Sequence, residues 1–197
     1  MLSLSDGKEL VKLARKTVEE YFVKKELTLK KTKFKEKRGV FVSIHTYSDH
    51  DLRGCIGYSH SIFPLDEAIQ KASLSAAFED PRFSPLTPKE LKKIIFEVSV
   101  LTVPEIIKVK DPKDYPQKIK IGKDGLIIDY GLFNKGLLLP QVATEYNWNS
   151  ETFLAHLCMK AGLSIDMWLD PKAKIFKFQT QIFKEKRPNG EIIQTSH

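Results

Sequence analysis

The segment RGVFVSIHTYSDHDLRGCIGY, residues 38–58, decides how the chain folds. Its first ten residues are rich in β-branched and aromatic side chains and alternate as a strand does. YSDHD is a turn signal and LRGCIGY resumes the strand pattern, so the segment predicts a β-hairpin. Strands joined by a short turn pair antiparallel, whereas parallel partners need a crossover of about a dozen residues. The second strand carries an oddity. Gly54 and Gly57 interrupt it, and glycine in a strand marks a bulge, a bend, or the close approach of another backbone or a ligand. Arg53 and Cys55 stand two apart, so a regular strand sends both side chains to one face. The glycines are expected to clear space for a ligand beside them.

Working outward, GKELVKLARKTVEEYFVKK places Leu10, Val11, Ala14, Val18, Tyr21 and Phe22 at helical spacing. Ser5 reads as its N-cap, with Asp6 and Glu9 at the positive end of the helix. After Pro64, LDEAIQKASLSAAFED predicts a second helix, whose Ala72, Ala76 and Ala77 permit close packing on a sheet. DPRFSPLTP (80–88) is irregular, and Thr87-Pro88 with Glu90 reads as a capping box. IIFEVSVLTV (94–103) is a strand with Ile95, Glu97, Ser99 and Leu101 on one face.

Beyond residue 104, a proline-rich connection precedes two short strands in IKIGKDGLIIDYG and KGLLLP. Pro140 opens a short helix, and Asn149 or Ser150 caps another, SETFLAHLCMKAGL. KIFKFQTQIF (174–183) reads as one final strand, with EKRPNGEIIQTSH loose or in a surface strand. Helices and strands mix without strict βαβ alternation. The fold class is α+β, with mixed or antiparallel sheets and packed helices.

Composition narrows the function classes. The chain has 197 residues, 42% apolar and 29% charged, which is ordinary for a globular protein. Cys55 and Cys158 form no disulfide framework and match no zinc spacing, which favours a reducing compartment. The N-terminus lacks a signal-peptide pattern, and no apolar run approaches the ~20 residues of a membrane span. A cytoplasmic protein without membrane attachment is expected. The net charge of +7 raises nucleic acid as a partner, but 27 of the 32 basic residues are lysines and only five are arginines. KKTKFKEKR (30–38) carries six positive charges against one negative and reads as a solvated loop. The aromatics sit at core-like positions instead of alternating with the lysines, which argues against nucleic acid.

Chemistry-bearing residues gather near the hairpin. Cys55 is either a reactive thiol, favoured as thiolate by Arg53, or a small buried hydrophobe. His45, His50 and His60 flank it without a spacing that specifies a cysteine–histidine pair. A metal held by Cys55 and His60 lacks a second ligand pair, so no metal or cofactor is expected. Asp80 and Arg82 are either a loop-fixing pair or part of a site. Glu97 on a strand needs a partner: Arg53, Arg82, or a place on the same site as Cys55. His156, on a helix surface, His197, in the tail, and Lys160, at a helix end, read as structural.

Taken in order, LRGCIG, PLDEAI, AAFEDPRFSPL, FEVSVLT, IGKDGLII, LLLPQVA and FLAHLCMKAGL resemble the AMMECR-type domain family over residues 8–184. The hexapeptide is specific to that family. The resemblance implies a two-lobed fold with a cleft, the larger lobe about 1–110 plus 173–197 and the smaller about 111–172. It also implies association with Memo-like and radical S-adenosylmethionine proteins. It carries Arg53, Gly54, Gly57, Asp80, Arg82 and Gln141 as substrate-binding candidates and Cys55 and Glu97 as catalytic ones. Phe83, Pro140 and Lys160 are secondary candidates. The implied functions are two: an enzyme component acting on a small anionic or peptide-linked substrate, or a non-catalytic binding module for a partner.

Overall fold

A computed structural model describes residues 1–59 and 61–195. His60 and His197, and with them the metal reading that used His60, lie outside the described residues. In chain order the elements are α1 (Leu4–Lys24), β1 (Val40–Thr46), β2 (Leu52–Tyr58), α2 (Leu65–Phe78), β3 (Ile94–Leu101) and β4 (Glu105–Ile106). There follow β5 (Gly125–Tyr130), β6 (Asn134–Leu138), α3 (Pro140–Glu145), α4 (Ser150–Lys160), β7 (Lys174–Phe178), β8 (Thr180–Glu185) and β9 (Ile192–Thr195). The strands form a five-stranded sheet, β2-β1-β3-β8-β9, and a four-stranded sheet, β4-β7-β5-β6. The fold is α+β, and the pairing of β1 with β2 and with β3 is antiparallel.

The first unit comprises Met1–Leu101 and the stretch that begins at Gln181. Alternation in β1 and β3 sends Val40, Val42, Ile44, Phe96, Val98 and Val100 to one face, where they are buried with α1 and α2. Helix α1 starts two residues earlier than Ser5 suggests. Ser3 is the N-cap, because its hydroxyl accepts from the Asp6 N–H while Asp6 accepts from the Ser3 N–H. Arg15 of α1 is buried and forks onto Glu185 of β8, with Nε–Oε1 at 2.7 Å and Nη2–Oε2 at 2.6 Å. Glu185 also accepts the Phe96 N–H, and Arg15 donates to the Ile94 carbonyl. This buried pair is fully hydrogen-bonded, as a charge out of water must be.

The basic run is held onto the helices. Lys30 pairs with Glu20, Lys33 with Asp6 and Glu9, Lys35 with Asp66, and Arg38 with Glu36. Asp66 also accepts the Thr32 N–H, and Gln70 both donates to and accepts from the Lys30 backbone. Burial opposes ionisation of Asp66, but Lys35 and Thr32 outweigh it and lower its pKa. The charges of this run are thus met largely by carboxylates of the same unit.

The second unit, Thr102–Thr180, has its own core of Leu126, Ile128, Phe153, Leu154, Leu157, Cys158, Trp168 and Ile175. The single strand expected at 174–183 is two, in different sheets. At Gln179 the chain leaves one ladder: its N–H donates to Thr102 Oγ1, its carbonyl accepts the Thr102 N–H, and its side-chain amide donates to Asp124. Apolar residues stand on both sides of the break, and the polar run Gln179–Gln181 is the local trace of it. The chain therefore leaves the first unit after Leu101 and returns at Gln181, not near 110 and 173.

Candidate functional site

Strand β2 is an edge of the five-stranded sheet. Opposite residues on neighbouring antiparallel strands share a face, and the register aligns Cys55 with Ser43 and Ser43 with Glu97. Cys55, Ser43 and Glu97 thus form a row across three strands, on the face turned away from α1 and α2. Ser43 Oγ lies 3.1 Å from Cys55 Sγ, close enough for the hydroxyl to donate to the sulfur. Ser43 is 8% exposed, while Cys55 and Glu97 are half-buried. His45, two residues along β1 from Ser43, points to the same face.

Cys55 turns its own N–H and C=O outward from the edge, and the loop after α2 takes both. The N–H donates to Asp80 Oδ2 at 2.8 Å, and Arg82 Nη2 donates to the carbonyl at 3.3 Å. Asp80 and Arg82 bind each other through Nε–Oδ1 at 3.0 Å and Nη2–Oδ2 at 2.8 Å. The hydrogen bonds from Arg82 hold the Asp80 carboxyl well below its usual range despite burial, and Asp80 in turn raises the Arg82 guanidinium. The pair fixes the loop and the strand together. Arg82 keeps a half-exposed guanidinium that lies over the Phe83 ring.

Arg53 is occupied elsewhere. Its Nε donates to Glu90 Oε1 at 2.9 Å, and Glu90 closes the predicted Thr87 capping box at Pro88–Lys92. Burial pushes Glu90 toward its neutral form, but the Thr87 and Arg53 hydrogen bonds prevail and lower its pKa. Glu97 therefore partners neither arginine, and among the described residues it has no ion pair.

The glycines do not clear space for a ligand. A Cβ on Gly54 would stand 2.0 Å from the Ala76 carbonyl oxygen of α2. A Cβ on Gly57 would stand 2.3 Å from the Val40 carbonyl oxygen and 2.5 Å from Phe41 Cδ1. The vacancy on each is filled by protein, so Gly54 and Gly57 are packing residues: one admits helix α2, the other the Phe41 ring. Gln141 stands in the second unit on α3, its Oε1 buried without a partner among the described residues. Pro140 is the first residue of that helix, and Lys160 ends α4 with its side chain exposed. Cys158 is fully buried in the second core, where burial pushes its thiol pKa up. His156 stacks on Trp148 at 3.8 Å between ring centroids.

Sequence reasoning missed Ser43, and it placed Glu90 in its capping box without showing it as the partner of Arg53. Ser43 is the one polar residue in the run Val40–Ile44, a signal that becomes readable only once the hairpin register is known. Among the described residues, no cluster of three His, Cys, Asp or Glu is arranged to hold a metal. No helix among them is long and apolar enough to cross a membrane.

The AMMECR1 family profile matches residues 11–183. Protein MJ0810 of Methanocaldococcus jannaschii is 53% identical over 196 residues, covering 98% of this chain and 97% of that one. Protein SSO0193 of Saccharolobus solfataricus is 48% identical over 192 residues, covering 95% of this chain and 85% of that one. The crystal structure of uncharacterized protein PH0010 from Pyrococcus horikoshii matches with a TM-score of 0.77 at 44% identity, covering 97% of each chain.

Proposed function

The chain belongs to the AMMECR1 family, and from that premise we propose that it is an enzyme component whose nucleophile is the Cys55 thiol. The observation that carries this reading is the 3.1 Å contact between Cys55 Sγ and Ser43 Oγ, in one row with Glu97. A hydroxyl donating to sulfur stabilises the thiolate, which is the reactive form of cysteine. Asp80 and Arg82 pin the backbone at Cys55 from the open edge of the sheet, which preorganises the nucleophile.

The substrate class is an acyl-type electrophile on a small or peptide-linked molecule. The Cys55 sulfur attacks the acyl carbon, the S–C bond forms as the bond to the leaving group breaks, and the thiol proton leaves with that group. Water then hydrolyses the thioester and restores the thiol. The half-exposed Arg82 guanidinium supplies a contact for an anionic part of the substrate. Arg53 is a weaker anion contact, since Glu90 already neutralises it.

The test is acylation by p-nitrophenyl acetate in a Cys158→Ala background, followed by intact mass and peptide mapping. An adduct at Cys55 that forms faster than on the same chain unfolded in urea is expected. Acylation no faster than in urea sinks the reading and leaves the non-catalytic binding module as the account of this face.

A further inference from the structure

Beside the row of Cys55, Ser43 and Glu97 stands an imidazole with no assigned task. Strand β1 pairs with β3 without interruption from Val40 to Thr46, so Phe41, Ser43 and His45 all project on the face that carries Cys55 and Glu97. Ser43 lies directly opposite both Cys55 and Glu97. His45 is consequently a diagonal neighbour of each, at the roughly 7–8 Å separation that long and aromatic side chains span. The β1–β2 register shifts between Ile44 and His45, so that Leu52 and Arg53 together oppose His45. Bulges of this kind bend a strand and re-aim side chains, and they recur next to active sites.

The state of the ring is unusual. His45 Nε2 is buried and has no hydrogen-bond partner among the described residues. A buried polar atom without a partner is costly, and its persistence calls for an explanation. The charged groups around it are mostly satisfied. Arg53 is bound to Glu90, and Arg82 to Asp80. Glu97, from β3, has no ion pair among the described residues.

We propose that His45 accepts the Cys55 proton, with Glu97 orienting the imidazole, so that this sheet face holds a cysteine–histidine–glutamate arrangement. The inference rests on the reading that Cys55 is the nucleophile, and it gives that reaction its base. The proton moves from Cys55 Sγ to His45 when the sulfur is activated. It passes from His45 to the leaving group as the S–C bond forms, so the ring ends neutral. Histidine suits this task because its charge changes near neutral pH.

The experiment measures the rate of Cys55 alkylation by iodoacetamide at pH 6 and pH 9.5, in a Cys158→Ala background, for the parent chain and for His45→Gln. If His45 holds the proton, His45→Gln lowers the pH 6 rate about tenfold or more, because a thiol without a base is mostly protonated there. At pH 9.5, where most ordinary thiols ionise unaided, the two rates agree within about twofold. A fast pH 6 rate that survives His45→Gln overturns the role of His45 and leaves Cys55 as nucleophile. A parent chain no faster at pH 6 than in urea overturns both. Should His45→Gln fail to fold, the ring-proton NMR titration of His45 replaces it, in the parent chain and in Cys55→Ser. Proton sharing requires the His45 titration to move when the thiol is removed, and an unmoved titration overturns the inference.

Discussion

Replacing Gly54 by alanine tests whether helix α2 is seated on the backbone of β2. The added Cβ would stand 2.0 Å from the Ala76 carbonyl oxygen and 3.1 Å from its carbonyl carbon, where an ordinary contact begins at 3.4 Å. The shortfall of about 1.4 Å cannot be absorbed by rotating a side chain, because the obstacle is main chain. Helix α2 buries Ala68, Ile69, Ala72, Ala76 and Ala77 against the sheet and α1, so backing away loosens each of them. Overpacking costs typically about 1–3 kcal/mol, and a rigid obstacle puts Gly54→Ala near the upper end. For a chain of this length about 3 kcal/mol corresponds to a fall of roughly 6–12 °C in Tm. Far-UV circular dichroism gives the melt. Hydrogen exchange read by mass spectrometry locates the loosening, which is expected in 52–58 and 65–78. Gly131→Ala is the control: nothing lies within 4 Å and only its φ of +68° is strained, a cost of about 1–2 kcal/mol. Adding Ala76→Gly to Gly54→Ala should restore nothing, since the carbonyl remains, and should cost about 1 kcal/mol more through helix propensity. Recovery in the double variant, or a Gly54→Ala melt as mild as that of Gly131→Ala, would refute the backbone-contact argument.

Two further outcomes follow from the buried charges. Arg15→Met leaves Glu185 buried without its partner and should cost about 3–5 kcal/mol, whereas Arg15→Met with Glu185→Leu should recover most of that; equal losses by urea titration would contradict it. Asp80→Asn should cost about 1.5–3 kcal/mol near neutral pH by removing charge-assisted hydrogen bonds. The Asp80 pKa is depressed in the folded chain. Its contribution is therefore present above the unfolded value and is lost as pH falls toward the folded one. The stability gap between the parent chain and Asp80→Asn should accordingly hold from pH 8 to about 5 and shrink below about pH 4. A gap that stays constant in acid would count against the pairing.

Much of this was legible in the chain. The hairpin at 38–58, the two long helices, the Thr87–Glu90 box and the Asp80–Arg82 pair all follow from local pattern, because each is set within a few residues. What escaped depends on neighbours distant in sequence. The split at Gln179 is made by Thr102, 77 residues away. The partner of Arg53 lies 37 residues on, in Glu90. The meaning of Gly54 reverses once Ala76 is placed against it: the pattern showed that something must come close, but not that it was the protein itself. The face shared by Cys55, Ser43, Glu97 and His45 needs three strands in register, and no single strand displays it.

The grip of Asp80 and Arg82 on the main chain of Cys55 bears on how the molecule keeps to itself. An edge strand offers unpaired amides and carbonyls to any other chain that arrives in extended form. Here one carboxylate and one guanidinium stand in for the missing strand at the middle of the edge, accepting from the amide and donating to the carbonyl as a neighbouring backbone does. At this edge, growth of the sheet is opposed at Cys55 by two side chains on one loop. A chain without that carboxylate presents an open template at its most glycine-rich strand, so polymerisation by strand addition, as well as loss of stability, is the failure to watch for in Asp80 variants.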